Sequence, residues 1–210
     1  MVGAVNSTYI GMKESPKSIW GLAAGAEADY QLTNLFGLSL GAIYSQQGAK
    51  VENIIVCNCI PYWTTDDPNL KTRTEYINVP LMASIYPIKG LALKVGFQAG
   101  FLTKAEEKWV YVTETDRKKH YDWKDKFRWY DFAIPFGISY EYAGVTAELR
   151  YNYGLTRPMK DSYEGFLAYN YIGISTPKGA RNSALLLTLG YKIPLVKGKM
   201  KPKKEETGGK

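Results

Sequence analysis

The sequence predicts an all-β fold, an eight-stranded antiparallel transmembrane β-barrel with short periplasmic turns and long extracellular loops. Three observations predict it. Segments of about ten residues alternate between two unlike sets of side chains, as barrel strands do. One set is apolar and uncharged, while the other is built from Gly, Ala, Ser and isolated charges. Very short connections alternate along the chain with long ones, matching the two ends of an outer-membrane barrel.

Segment 91–101 shows the pattern most plainly. Leu91, Leu93, Val95, Phe97, Ala99 and Phe101 form one face, and Ala92, Lys94, Gly96, Gln98 and Gly100 the other. Alternation alone would also fit a soluble sandwich or ligand-binding barrel, so the composition of the polar face decides. A water-facing sheet surface is rich in Lys, Glu, Thr and Arg. Here the corresponding positions are Gly21, Ala23, Gly25, Glu27 and Asp29 in one strand and Gly37, Ser39, Gly41 and Ser45 in the next. Small residues with isolated charges suit a narrow barrel, whose interior is just wide enough for side chains to fill. The apolar set then faces lipid.

Composition agrees. Aromatic residues make up 14% of the chain, with 17 Tyr and 5 Trp, as expected where rings gather at membrane interfaces. Mean hydropathy is −0.28, and no apolar run approaches the length a membrane helix needs, so a membrane reading rests on strands alone. The 210 residues suit one domain, with the barrel over 1–196. Six Lys against two Glu in residues 197–210 mark a basic tail that carries much of the +7 net charge. The tail is read as a disordered, solvated periplasmic extension rather than a nucleic-acid arm. The opening MVGAVNSTYIGM lacks a basic segment followed by an apolar one, so a processed or recombinant mature chain, its signal peptide removed, is expected.

In chain order the strands fall at about 5–12, 19–32, 36–51, 75–88, 91–103, 130–142, 145–157 and 182–195. The first is the least regular, since Asn6, Ser7 and Thr8 precede Tyr9 and Ile10. The second turns Trp20, Leu22, Ala24, Ala26, Ala28 and Tyr30 to lipid, and the third Phe36, Leu38, Leu40, Ala42 and Tyr44. The fourth offers Ile77, Val79, Leu81, Ala83 and Ile85, and the fifth is the segment described above. The last three contribute Phe132, Ile134, Phe136, Ile138 and Tyr140; Val145, Ala147, Leu149, Tyr151 and Tyr153; and Leu185, Leu187, Leu189 and Tyr191. Short links stand at 33–35, 89–90 and 143–144, and long ones at 13–18, 53–74, 104–129 and 159–181. Pro80 and Pro135 interrupt two strands and predict bulges or local loss of ladder bonds.

The inward set carries charges of both signs: Glu27, Asp29, Lys94, Glu141, Glu148, Arg150 and Lys192. Charges in a narrow lumen stay ionised only when paired and hydrogen-bonded, so a lumen charge network is expected.

Several segments resemble the PorT-like outer-membrane β-barrel family of Bacteroidetes, in order and over nearly the whole chain. Leu38–Ser39–Leu40–Gly41–Ala42–Ile43–Tyr44–Ser45–Gln46–Gln47–Gly48 is similar to that family's strand ending in Tyr-Ser-x-x-Gly. Glu75–Tyr76–Ile77–Asn78–Val79–Pro80–Leu81 is similar to its strand opening. Val95 to Gly100, Tyr130–Asp131–Phe132 with Phe136–Gly137–Ile138, and Leu149 to Leu155 follow in the family's order. The resemblance implies an eight-stranded outer-membrane barrel. The name-giving member assists a secretion and gliding system; no catalytic or binding residues carry over, and that role is not transferred.

Chemistry-bearing residues are few. Cys57 and Cys59 sit in the second long loop, where export permits a disulfide. Pairing across one residue closes a strained, easily reduced ring; free or intermolecular thiols and a metal site are the alternatives, the last short of ligands with a single His in the chain. That His120, with Asp116 or Asp122, would be a general base in an outer-membrane enzyme, against its reading as part of a solvated charged strand extension. No Gly-x-Ser-x-Gly or phosphate-cradling loop accompanies it. Aromatics concentrate in the long loops, chiefly Tyr62, Trp63, Trp109, Tyr121, Trp123, Trp129, Phe166 and Tyr169. Interleaved with charges, they suit a contact surface for protein or glycan; the alternative is that they continue the strands above the membrane or rest on lipid. The expected protein is a non-enzymatic outer-membrane barrel, either monomeric or an accessory subunit of an outer-membrane complex, whose loops bind a partner protein, glycan or surface component. A narrow passive solute channel is the alternative, and a soluble ligand-binding barrel requires the apolar faces to turn inward. Expected partners are outer-membrane lipid and lipopolysaccharide, and other outer-membrane or secretion-system proteins. No cofactor, metal or nucleic acid is expected.

Overall fold

The computed structural model describes residues 1–11, 16–51, 55–56, 69–110, 118–122, 124–160, 171–172 and 180–194. Its strands are β1 (Val2–Ile10), β2 (Lys17–Gln31), β3 (Phe36–Val51), β4 (Ile55–Val56), β5 (Asn69–Ile88), β6 (Leu91–Val110), β7 (Lys118–Asp122), β8 (Tyr130–Tyr142), β9 (Val145–Gly154), β10 (Tyr171–Ile172) and β11 (Arg181–Tyr191). A short 3-10 helix covers Lys124–Lys126. Eight of these strands close into an antiparallel ring in the order β1, β2, β3, β5, β6, β8, β9, β11 and back to β1. A closed ring leaves no unpaired edge, which is what lets strands cross hydrocarbon. Beyond the ring, β7 pairs with the far end of β6, and β4 pairs with β10.

One wall faces outward and apolar, the other inward and mixed. Trp20, Leu22, Leu38, Leu40, Leu81, Leu93, Phe97, Phe132, Phe136, Leu187 and Leu189 are exposed, most by more than 40%, although each is large and apolar. Their sequence neighbours, among them Ser39, Met82, Lys94, Gln98 and Asp131, are buried inside. A small apolar cluster of Val5, Ala23, Ile43, Ala184 and Leu186, with Met1 packed against it, fills part of the lumen. The lumen is therefore not lined by small and charged residues alone.

At one end the connections are tight. Ala143 and Gly144 both take positive φ, 51° and 82°, as a two-residue hairpin turn matching the strands' twist demands. The turn after β2 is held by the Thr33 hydroxyl, which accepts from the amides of Leu35 and Phe36. Both Met1 and the end of β11 lie at this short-turn end, and the long links converge at the other.

Three sequence expectations are corrected or narrowed. β1 begins earlier than position 5, and β9 and β11 end before 157 and 195. More consequentially, β5 starts at Asn69 and β6 runs to Val110, so the two extend well into the stretches read as loops. Alternation is lost there because the outward set becomes charged: Lys71, Arg73 and Glu75 on β5, and Lys104, Glu106 and Lys108 on β6. Finally, of the two outcomes expected of Pro80 and Pro135, only the loss of ladder bonds occurs, and neither makes a bulge. Register holds across Leu40↔Leu81 and Ile43↔Asn78, and across Val95↔Phe136 and Gln98↔Ala133, with pairing interrupted between at Pro80 and Pro135. The lost ladder bonds follow from the missing proline N–H. One bulge lies at Thr103, the residue skipped between Tyr76↔Leu102 and Glu75↔Lys104, and further register shifts fall between Ser18 and Ala23 on β2 and between Ile85 and Ile88 on β5; the Thr103 hydroxyl donates to the Glu75 carbonyl at 3.0 Å.

Leu81 stands mid-wall on the outward face and is 53% exposed. Arg at Leu81 (Leu81→Arg) is expected to cost about 2–4 kcal/mol in urea unfolding from vesicles. A cost under about 1 kcal/mol would place this residue near an interface instead.

Candidate functional site

The lumen is the most organised part of the molecule. Glu27 on β2 reaches across it to Lys94 on β6 and Arg150 on β9, which stand three strands away in either direction around the ring. Lys94 Nζ lies 2.6 Å from Glu27 Oε1 and 3.0 Å from Glu148 Oε2. Arg150 Nη2 lies 2.6 Å from Glu27 Oε2, and its Nε donates to Glu148 Oε1. Each carboxylate thus touches both cations, each cation touches both carboxylates, and the quartet is neutral. All four side chains are at most 8% exposed.

Glycines make room for it. Gly137 separates Lys94 from Arg150 in the register, opposite both. Gly41 stands opposite Glu27, where a Cβ would sit 3.3 Å from the Pro80 ring and 3.5 Å from Glu27 Cγ. The long charged chains therefore cross the barrel between walls that carry no side chain of their own.

The remaining lumen charges gather elsewhere. At the short-turn mouth Lys192 Nζ lies 3.3 Å from Asp29 and 3.2 Å from Glu141, all partly exposed. Toward the long-loop end the lining is hydrogen-bonded through amides and hydroxyls: Asn78 and Gln47 both donate to Ser45 at 2.8 Å, and Asn152 donates to Gln98. Two lumen carboxylates escaped the sequence reading. Asp131 accepts from Asn182 at 2.8 Å and from the Thr156 hydroxyl, and its alternation with Phe132 was signal enough to find it. Glu107, 1% exposed, was hidden by the Thr103 bulge: below it odd-numbered residues of β6 face out, above it even-numbered ones do.

The loop residues divide differently. Trp129 is 66% exposed on the outer wall, stacked on Phe101 at 6.1 Å and edge-on to Tyr130 at 5.2 Å. It joins an aromatic group with Tyr130 and Phe132 at the top of the apolar band, where girdles sit. Trp109 falls on β6, and Tyr121 and His120 on β7, His120 opposite Lys108. Tyr62, Trp63, Trp123, Phe166, Tyr169, Cys57, Cys59, Asp116 and the tail 197–210 lie outside the described residues.

Removing one member of a buried ionic network leaves its partners desolvated and under-paired, at about 3–5 kcal/mol. Glu27→Gln is therefore expected to lower urea stability by that amount, and Lys192→Gln at the wetter mouth by less than about 1 kcal/mol. Equal effects at the two sites would mean that water reaches the quartet as freely as the mouth.

A protein-family model agrees with this architecture. Residues 2–158 match the family described as outer membrane protein beta-barrel domain. Solved structures similar to the chain include Ail, the attachment invasion locus protein of Yersinia pestis, at 12% identity and a TM-score of 0.43, covering 90% of this chain and 93% of that one. Neisserial surface protein A is similar at 11% identity and a TM-score of 0.45, covering 91% and 94%. No curated protein matches significantly. With the family model covering most of the sequence, the chain belongs to the outer membrane protein beta-barrel domain family and is an integral β-barrel of the outer membrane.

Proposed function

We propose that this protein is a non-enzymatic outer-membrane scaffold, whose long loops bind a partner protein, glycan or other surface component. The observation that carries the reading is where the described barrel is closed and where it is built up. The quartet of Glu27, Lys94, Glu148 and Arg150 spans the lumen with side chains on three strands, while β5 and β6 continue far beyond the apolar band at the long-loop end. Material invested above the membrane serves contacts made there. The aromatic residues of 52–68, 111–117 and 161–179 supply the large, rigid contact area that binding surfaces favour. The motif order resembling PorT-like barrels supports an accessory place in an outer-membrane complex. The solute-channel reading is not favoured, because the side chains of the quartet cross the lumen from β2 to β6 and β9.

The test is cross-linking on intact cells. With photoreactive residues at positions 63, 123 and 169, the account expects a discrete adduct that vanishes when 52–68 and 161–179 are replaced by short Gly-Ser linkers, the barrel still showing heat-modifiable gel mobility. An adduct that survives loop replacement would contradict it.

A further inference from the structure

The upper lumen holds a carboxylate that the quartet does not serve. Asp131 on β8 is 8% exposed, and its two side-chain partners are neutral, the Asn182 amide at 2.8 Å and the Thr156 hydroxyl. It forms no ion pair among the described residues. Lys94 and Arg150, the buried cations of the lumen, are each engaged by both Glu27 and Glu148. A buried carboxylate must find a cation, coordinate a metal or take up a proton.

Oxygen atoms gather beside it. Tyr9 on β1, with Thr74 and Tyr76 two residues apart on the inward face of β5, are all at most 4% exposed. The Thr74 side chain stands beside both phenols, and the Asn182 amide beside that of Tyr76. Yet none of the three hydroxyls is placed for a hydrogen bond with another described group. Tyr76 is within electrostatic reach of Asp131, and Tyr9 of both Asp131 and Glu107. Gly100 on β6 stands opposite Asp131 in the register. A Cβ there would lie 3.5 Å from both the Asp131 carbonyl oxygen and the Tyr76 ring, so a missing side chain is what lets the ring lie against Asp131.

The donor set selects the ligand. A hydroxyl both donates and accepts, so three side by side could satisfy one another. Here they do not, and a buried hydroxyl without a bond is destabilising. Three of them grouped beside a carboxylate that has no cation are arranged as ligands around a positive ion. Oxygen donors with no His or Cys suit hard cations rather than transition metals. No third Asp, Glu, His or Cys completes a metal-binding group with Asp131 and Glu107 among the described residues, so the neutral hydroxyls supply the larger share of the contacts.

We propose that Asp131 and the hydroxyls of Tyr9, Thr74 and Tyr76 form a site in the upper lumen for a hard metal cation of the alkali or alkaline-earth series. The ion supplies the positive charge that Asp131 lacks and gives the three hydroxyls a common partner. It ties β1, β5 and β8 together across the lumen, with β11 joined through Asn182. It therefore braces the end that bears the long loops, on the far side of the Val5, Ala184 and Leu186 cluster from the quartet.

The experiment unfolds the full chain with urea from vesicles of zwitterionic lipid, in NaCl, in CaCl2 and in N-methylglucamine chloride at equal ionic strength. A ligand that binds only the folded state raises its stability, so wild type is expected to show a higher urea midpoint in at least one metal salt than in N-methylglucamine. Which salt does so tells an alkali ion from an alkaline-earth one. Asp131→Asn is expected to abolish the difference, and Tyr76→Phe, which removes one oxygen and little volume, to shrink it. Purely structural roles for these residues would instead move the midpoint equally in all three salts. The Phe variant carries the test where Asp131→Asn fails to fold. A wild-type midpoint that is the same in all three salts would overturn the proposal, as would a metal-dependent midpoint left unchanged by either folded variant. So would a wild-type midpoint that responds to pH but to neither metal, since Asp131 would then hold a proton in place of the ion.

Discussion

The interaction on which the barrel depends is the cross-lumen contact of Glu27 with Lys94 and Arg150. Backbone ladders tie each strand only to its neighbours, and lipid places no demand on the outer wall beyond apolarity. What joins opposite walls must therefore run through the lumen. Buried charges carry a desolvation penalty that attraction offsets only when geometry is good and every lone pair is used. The quartet approaches that condition in a circuit of alternating signs, with Arg150 Nη1 its one buried donor left without a hydrogen bond among the described residues. Its cost also has a structural use, since a slipped register would leave charges unpaired and so disfavours other strand pairings.

Other features follow from accommodating that circuit. Gly41 and Gly137 are bare where long side chains must pass. Pro80, fully buried beside Gly41, gives up a ladder bond but fills volume with a rigid ring and adds no further polar group. Above the quartet the lining becomes a hydrogen-bonded network around Ser45 and the Asp131 carboxylate, and below it Lys192 bridges Asp29 and Glu141 at a wetter mouth. A lumen crossed by these charges is what directs the proposed function to the long-loop end, where β5 and β6 outrun the membrane.

The membrane-crossing part was legible in the sequence because lipid writes a simple rule: every second residue from Trp20 to Tyr30, or from Leu91 to Phe101, must be apolar or small. Parity then assigned Glu27, Lys94, Glu148 and Arg150 to the lumen, but not to one another. Which charges meet depends on the stagger of strands far apart in sequence, and nothing local encodes that Glu27 faces residues 94 and 150 while Lys192 faces 29 and 141. Above the membrane the rule lapses. Water tolerates Lys71, Arg73, Glu106 and Lys108 on an exposed strand as readily as in a loop, so the extensions of β5 and β6 carried no periodic signal. The Thr103 bulge then reversed parity and concealed Glu107.

The central claim is that the quartet both closes the lumen and braces it, and single-channel recording in planar bilayers tests it most directly. The account predicts a silent wild-type barrel, with current appearing when Glu27, Lys94, Glu148 and Arg150 are together replaced by Ala. Stable conductance through the wild-type protein would contradict it, and would return the lumen to the centre of its function.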